Sequence, residues 1–189
     1  SSNVNLSSNA AALSTGTGSF TYEAWIKTTA TSDGEILTVG EYGGSPNIAT
    51  QFRTLADGTV KLQMANLATG PNSTATVNDG LWHHVAVRYD AVTGMATLII
   101  DGEEDGTAAI TPDLGSTAAY IGHDAGGTGA FFDGEIADIR IWDYARDTGE
   151  IASGRENFPH PDEEGLLAHY KLDGADGSAV SDSSSNGYD

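Results

Sequence analysis

The chain has 189 residues, 39 % of them hydrophobic, which is enough for a packed core and argues against disorder over most of its length. Its 27 acidic residues stand against 8 basic ones, and the formal charge of −19 repels phosphate backbones and anionic lipid heads, so nucleic acid and anionic membranes are excluded as partners. There is no cysteine, which removes disulfides and thiolate metal sites, and no apolar run approaches the roughly 20 residues that span a bilayer.

The first clear element follows Ser19. In SFTYEAWIKT, Phe20, Tyr22, Ala24 and Ile26 share one face while Thr21, Glu23, Trp25 and Lys27 share the other, which is the two-residue period of a strand. EILTVGEY is a second strand. NIATQFRTL and TVKLQMANL flank Ala56-Asp57-Gly58 and form a hairpin with an Asp-Gly turn. LWHHVAVRYD and MATLIIDG, joined by Ala91 to Gly94, form another, and AAYIGH precedes the acidic stretch FFDGEIADIRIWD. One helical signal stands out: Asp147 with Glu150 three residues later makes a capping box, and Gly154 stops the segment after about two turns. NFPHPDEEG then returns the chain to a last strand, GLLAHYKLD.

Short strands at regular spacing with 24 glycines predict an all-β fold of two packed sheets. The Ser-rich start without methionine and the Ser/Gly-rich ending predict one domain, residues 1–189, cut from a longer multidomain protein.

Four segments taken in order carry a family resemblance: FTYEAWIK, DGLWHHVAVRYDAVTGMATLIIDG, YIGHDAGGTGAFFDGEIADIRIWDYARDTGEI and GLLAHYKLDGADGSAVSDSSSNG. Together they resemble the laminin-G-like and pentraxin-like group of concanavalin A-like domains. The resemblance implies a two-sheet antiparallel jelly-roll sandwich with one short helix. It leaves function open, because this fold carries lectins, protein-binding modules and hydrolases alike.

The resemblance also raises the question of catalysis, because retaining glucanases of this superfold set three carboxylates at alternate positions of one strand. Here Asp133 and Glu135 are followed by Ala137 and Ile139, so the third carboxylate is missing in either register. Asp138 and Arg140 fall on the opposite face as a polar pair, and Ala137, Ile139 and Ile141 form an apolar inward face. The adjacent His83 and His84 point to opposite faces of their strand and are not a shared metal site; His83, in line with Val85, Val87 and Tyr89, is expected in the core. No nucleophile elbow occurs. The chain is therefore expected not to be an enzyme.

Calcium fits the composition better. Between Tyr89 and Ile139 there are ten acidic residues and no Lys or Arg, an excess that repels itself unless it is solvated or holds cations. By the resemblance to pentraxins, Asp124 in the loop DAGGTG matches an acidic ligand and Asn47 matches part of an earlier ligand loop. Two departures, Pro46 in place of an acid and only His123-Asp124 left of an acidic run, imply a single or rearranged site. Asp133 is counted with this set. Asp173, Asp176 and Asp182, near the end, imply either a structural calcium or an Asx turn. Tyr42 is the candidate exposed aromatic for sugar stacking, with Asn47 and Asp124 as further ligand contacts, while Trp25 is either a second such ring or core.

The expected function is a non-catalytic, Ca2+-dependent ligand-binding module, for carbohydrate or peptide, of a secreted or cell-surface protein of bacterial adhesin type. Its partner would be a glycan or peptide/protein ligand on another cell or matrix, beside the flanking domains of its parent. The alternatives are a protein-binding or spacer module with purely structural calcium, and a polysaccharide hydrolase with a non-standard site.

Overall fold

The computed structural model describes residues 4–40, 49–64, 70–112, 118–123, 130–173 and 180–189. Two antiparallel six-stranded sheets pack face to face. The first sheet has the order β1 (Val4–Asn5), β10 (Ala119–Ile121), β3 (Gly34–Val39), β4 (Thr50–Thr54), β5 (Thr59–Met64) and β6 (Asn72–Thr76). The second runs β12 (Leu166–Tyr170), β11 (Glu135–Trp142), β2 (Phe20–Lys27), β7 (Trp82–Asp90), β8 (Met95–Ile100) and β9 (Glu103–Ala109). Neighbours distant in sequence, such as β11 beside β2, give the crossovers of a jelly-roll sandwich.

The alternation read from the sequence builds the core. Phe20, Tyr22, Ala24 and Ile26 of β2 face Leu37, Phe52 and Leu62 of the other sheet, all of them buried. The β4–β5 hairpin forms where expected. Asp57 accepts hydrogen bonds from the Thr59 backbone and hydroxyl, and Gly58 takes φ +85 with the Asn78 side chain where a Cβ would lie. The helix α2 (Thr148–Gly154) begins with the expected capping box: Glu150 N–H donates to Asp147 Oδ1 at 2.8 Å and Asp147 N–H to Glu150 Oε2 at 2.7 Å.

The strands β1, β6 and β9 and a second short helix were not legible. The helix α1 (Ala10–Leu13) is one turn long and buries Ala10 and Leu13. β6 (NSTAT) and β9 (EEDGTAA) are edge strands with no apolar alternation. Their edges meet, and Asp105 joins them by accepting from Thr74 N–H at 3.0 Å, Ala75 N–H at 2.7 Å and the Thr74 hydroxyl, which closes an otherwise open corner.

Two expectations need correction. β11 carries a bulge between Ala137 and Arg140, with Asp138 at φ +53, so Ile136 packs on the core before it and Ile139 and Ile141 after it. The inward face is therefore Ile136, Ile139 and Ile141, and Ala137 pairs with Trp25 on the outer side. His83 is not core. It sits at the end of the sandwich with Nδ1 2.8 Å from Asp101 Oδ2 and Nε2 3.1 Å from Asp79 Oδ1, and His84 is the fully buried ring.

Partial burial lowers the His83 pKa, but the two carboxylates outweigh it and hold the ring above its ordinary 6.5. Its contribution to stability is thus complete below about pH 6.5 and lost as pH rises through the folded-state value. His83→Gln is expected to lower the melting temperature by about 2 °C near pH 6 and by nothing near pH 9. Melting curves across that range check it, and a pH-independent difference would mean that the ring acts through packing alone.

Candidate functional site

The outer face of the second sheet is covered by the chain from Asp143 to Gly165. Ile151 of α2 packs on Ala86 and Ile99, and Trp25 Nε1 donates to the Arg155 carbonyl at 3.1 Å. Under this cover lies an ionic cluster. Arg146 Nη1 is 2.6 Å from Glu23 Oε1, and His84 Nε2 is 3.3 Å from Oε2 of the same carboxylate. Arg140 binds Asp138 through two nitrogens, at 2.9 and 2.5 Å, and His169 Nε2 lies 2.8 Å from Asp138 Oδ1. Burial pushes both carboxyls up, and these partners more than reverse it, leaving Glu23 and Asp138 below the usual carboxylate range. The polar pair Asp138–Arg140 is as the sequence implied. The cluster fastens the covering segment to the sheet, since Arg140 also donates to the Gly154 and Asn157 carbonyls at 3.0 Å each. Trp25 is therefore held against protein, with His84 edge-on at 5.4 Å.

The outer face of the first sheet is different. Glu35, Gln51, Arg53, Lys61 and Gln63 project from β3, β4 and β5 as a polar floor. Gln51 Nε2 donates to Glu35 Oε1 at 3.1 Å, while Arg53 lies 3.4 Å from that oxygen and 2.7 Å from Asp33 Oδ2. Gln51 Oε1 and Arg53 Nε are buried with no hydrogen-bond partner among the described residues. Beside the floor runs a row of rings: Tyr120 and His123 have centroids 4.4 Å apart, and His123 and Phe131, the last 45 % exposed, 5.9 Å. The row forms because His123 and Ala130 are both anchored on β3, where Thr38 donates to the His123 carbonyl at 3.2 Å and the Ala130 carbonyl accepts from Glu35 N–H at 3.0 Å. Glu35 and Gln51 are themselves buried, so it is the half-buried Arg53, Lys61 and Gln63 beside the flat rings that can meet a hydroxyl-bearing ring by hydrogen bonds and stacking.

Of the residues singled out from sequence, Tyr42, Asn47, Asp124 and Asp176 lie outside the described residues. The flanks of Asp124, His123 and Ala130, are both fixed on β3. Asp133 is exposed, and its carbonyl accepts from the Thr28 hydroxyl at 2.5 Å; Asp173 is exposed just beyond β12. Asp182 adopts the Asx-turn arrangement. Its Oδ1 accepts from His169 and Ser184 N–H at 2.8 Å each, and its Oδ2 from the Ser184 hydroxyl at 2.7 Å and Tyr188 N–H at 2.9 Å. Among the described residues no three acidic or histidine side chains converge on a metal position. Glu135 pairs with Lys27 at 3.0 Å on the surface, not with Asp133 across a cleft.

The acid-rich stretch also finds partners that the local sequence hides. Glu104 is 2.7 Å from Arg88, Asp101 holds His83, and Asp90 accepts from Val92 N–H at 2.9 Å and the Thr93 hydroxyl. The aromatic row and the polar floor were missed because Tyr120, Phe131, Gln51 and Arg53 carry no motif, and only the pairing of β10 with β3 and β3 with β4 assembles them.

The sequence profile of the concanavalin A-like lectin/glucanases superfamily matches residues 1–152. The chain belongs to this superfamily, and both pentraxin and laminin-G domains are among its structural neighbours. A candidate carbohydrate-binding protein from Bacteroides ovatus ATCC 8483 is 25 % identical, with a TM-score of 0.67 over 88 % of this chain and 50 % of that one. A heptameric SAP-like pentraxin from Limulus polyphemus is 21 % identical, with a TM-score of 0.57 over 74 % of this chain and 71 % of that one. The "Sushi, von Willebrand factor type A, EGF and pentraxin domain-containing protein 1" of Rattus norvegicus is 29 % identical over 94 residues, 44 % of this chain. The chain spans only 3 % of that relative's length.

Proposed function

We propose that the chain is a non-catalytic module that binds a neutral glycan on the outer face of the first sheet. The observation that carries this reading is the row Tyr120, His123 and Phe131, with Phe131 45 % exposed, beside a polar sheet face on which Gln51 Oε1 and Arg53 Nε have no hydrogen-bond partner among the described residues. The superfamily and the Bacteroides ovatus relative support a sugar as the ligand. Neutrality follows from charge: Arg53 is already paired with Asp33 and Glu35, and the net −19 repels anions. Calcium enters through Asn47, Asp124, Asp133, Asp173 and Asp176, as an ion that shapes the loops or itself takes sugar hydroxyls. The module belongs in this reading to a larger extracellular or cell-surface protein, in keeping with the several domain types for which the rat relative is named. No helix among the described residues is long and apolar enough to cross a membrane.

A glycan array read with and without chelator tests both parts. Wild-type protein is expected to bind neutral glycans, Phe131→Ala and Tyr120→Ala to lose at least about tenfold in affinity with unchanged melting curves, and chelator to reduce binding. Failure of the wild type to bind any glycan, with or without calcium, would sink the glycan reading. Binding indifferent to chelator would remove calcium alone.

A further inference from the structure

We propose that Trp82, Lys27 and Glu135 form a second saccharide subsite at the end of the second sheet, and that the ligand is a neutral glycan chain long enough to reach it from the first sheet. This rests on the glycan reading above and adds ligand length and a second contact surface. Trp82 is 42 % exposed and its neighbour Leu81 64 %, whereas Trp142 is buried under Arg146 and Trp25 is tied to Arg155. Glu135, Lys27 and Trp82 stand in one cross-strand row on β11, β2 and β7, at the end that the Asp143–Gly165 cover leaves open. Lys27 Nζ lies 5.9 Å from the indole centroid and 3.0 Å from Glu135 Oε1.

That row has the parts a sugar ring needs. The indole offers a flat apolar face, and the ion pair sets an ammonium donor beside a carboxylate acceptor, both well exposed, for adjacent hydroxyls. The pair is neutral overall, and the nearby carboxylates of Asp79 and Asp101, about His83, disfavour an anion. The platform is also built firmly. Leu81 N–H donates to Asp79 Oδ1 at 2.8 Å and Gly80 N–H to the Thr28 carbonyl at 3.0 Å, fixing the chain that presents the indole.

The two surfaces are linked through one short segment. Phe131 ends the ring row on the first sheet, and Glu135 opens β11 on the second, so their Cα atoms are at most about 14 Å apart along four residues of chain. An oligosaccharide held at Phe131 can reach Glu135 across a span no longer than this. Engaging both platforms raises affinity with chain length, because the second contact forms at high effective concentration once the first is made.

The test uses neutral β-glucan, mannan and arabinan oligosaccharides from disaccharide to octasaccharide, by calorimetry and tryptophan fluorescence. Wild-type affinity should rise with length, with a fluorescence change for the long members only. Trp82→Ala should lower affinity for the long members about tenfold, leave short ones and the melting curve unchanged, and be largely rescued by Trp82→Phe. Unchanged affinity of Trp82→Ala for every length overturns the subsite while the first-sheet reading stands. A wild-type dimer that Trp82→Ala dissolves also overturns it, assigning the indole to a second copy of the chain. Wild-type protein binding no glycan overturns both.

Discussion

Replacing Glu23 with alanine is expected to destabilise the protein by about 4 kcal/mol and to lower its melting temperature by roughly 12 °C. The carboxylate is fully buried, with Arg146 at 2.6 Å, His84 at 3.3 Å and Arg140 at 3.9 Å. Its removal leaves the Arg146 and Arg140 guanidinium groups in a dry layer with one counter-charge fewer, and that uncompensated burial is the larger part of the cost. Because the Glu23 pKa is depressed by its partners, its stabilisation is complete above the ordinary glutamate value of 4.5 and lost as pH falls through the folded-state value. Wild-type and Glu23→Ala melting temperatures should therefore converge in strong acid. Glu23→Leu combined with Arg146→Met should recover much of the loss, since an apolar pair carries no desolvation penalty. A Glu23→Ala protein as stable as wild type near neutrality would show that the cluster is solvated in solution.

The second large effect falls on Gly134, where the chain crosses from the first sheet to the second. Its φ is +156, and a Cβ there would lie 2.3 Å from the Lys27 carbonyl oxygen and 2.9 Å from the Phe132 ring. Gly134→Ala is expected to cost about 2 kcal/mol, from backbone strain and from displacement of β2 against β11. Gly16, at φ +60 with nothing within 4 Å of a Cβ, is the comparison, because alanine there adds strain without a clash. Denaturant titrations of both variants separate the two terms. A Gly134→Ala cost no larger than that of Gly16→Ala would mean that the crossover yields. Since Phe131 and Glu135 flank this glycine, the same variant should also weaken glycan binding.

Much of the frame is local information, and the sequence alone determined it. The period-two run of β2, the β7–β8 hairpin, the Asp57-Gly58 turn and the Asp147–Glu150 capping box each state their own structure, because alternation, turn chemistry and capping depend on residues a few positions apart. What the local pattern lacks is which strands become neighbours. β6 and β9 have no apolar period and exist as strands through a shared edge closed by Asp105. The β11 bulge at Asp138 moves Ile136 inward, against a strict alternation, because Arg140 and His169 hold that carboxylate on the outer side. His83 leaves its expected core place for a related reason: the strand outlasts the core at His83, while the Asp143–Gly165 segment lies over His84. The acidic excess between Tyr89 and Ile139 is a property of the sequence, yet its partners Lys27, Arg88 and Arg140 come from outside the stretch. The ring row and polar floor likewise draw on residues nearly a hundred positions apart. Only the tertiary pairing of β10, β3 and β4 decides such sites, because contact across a sheet follows strand order and not chain order.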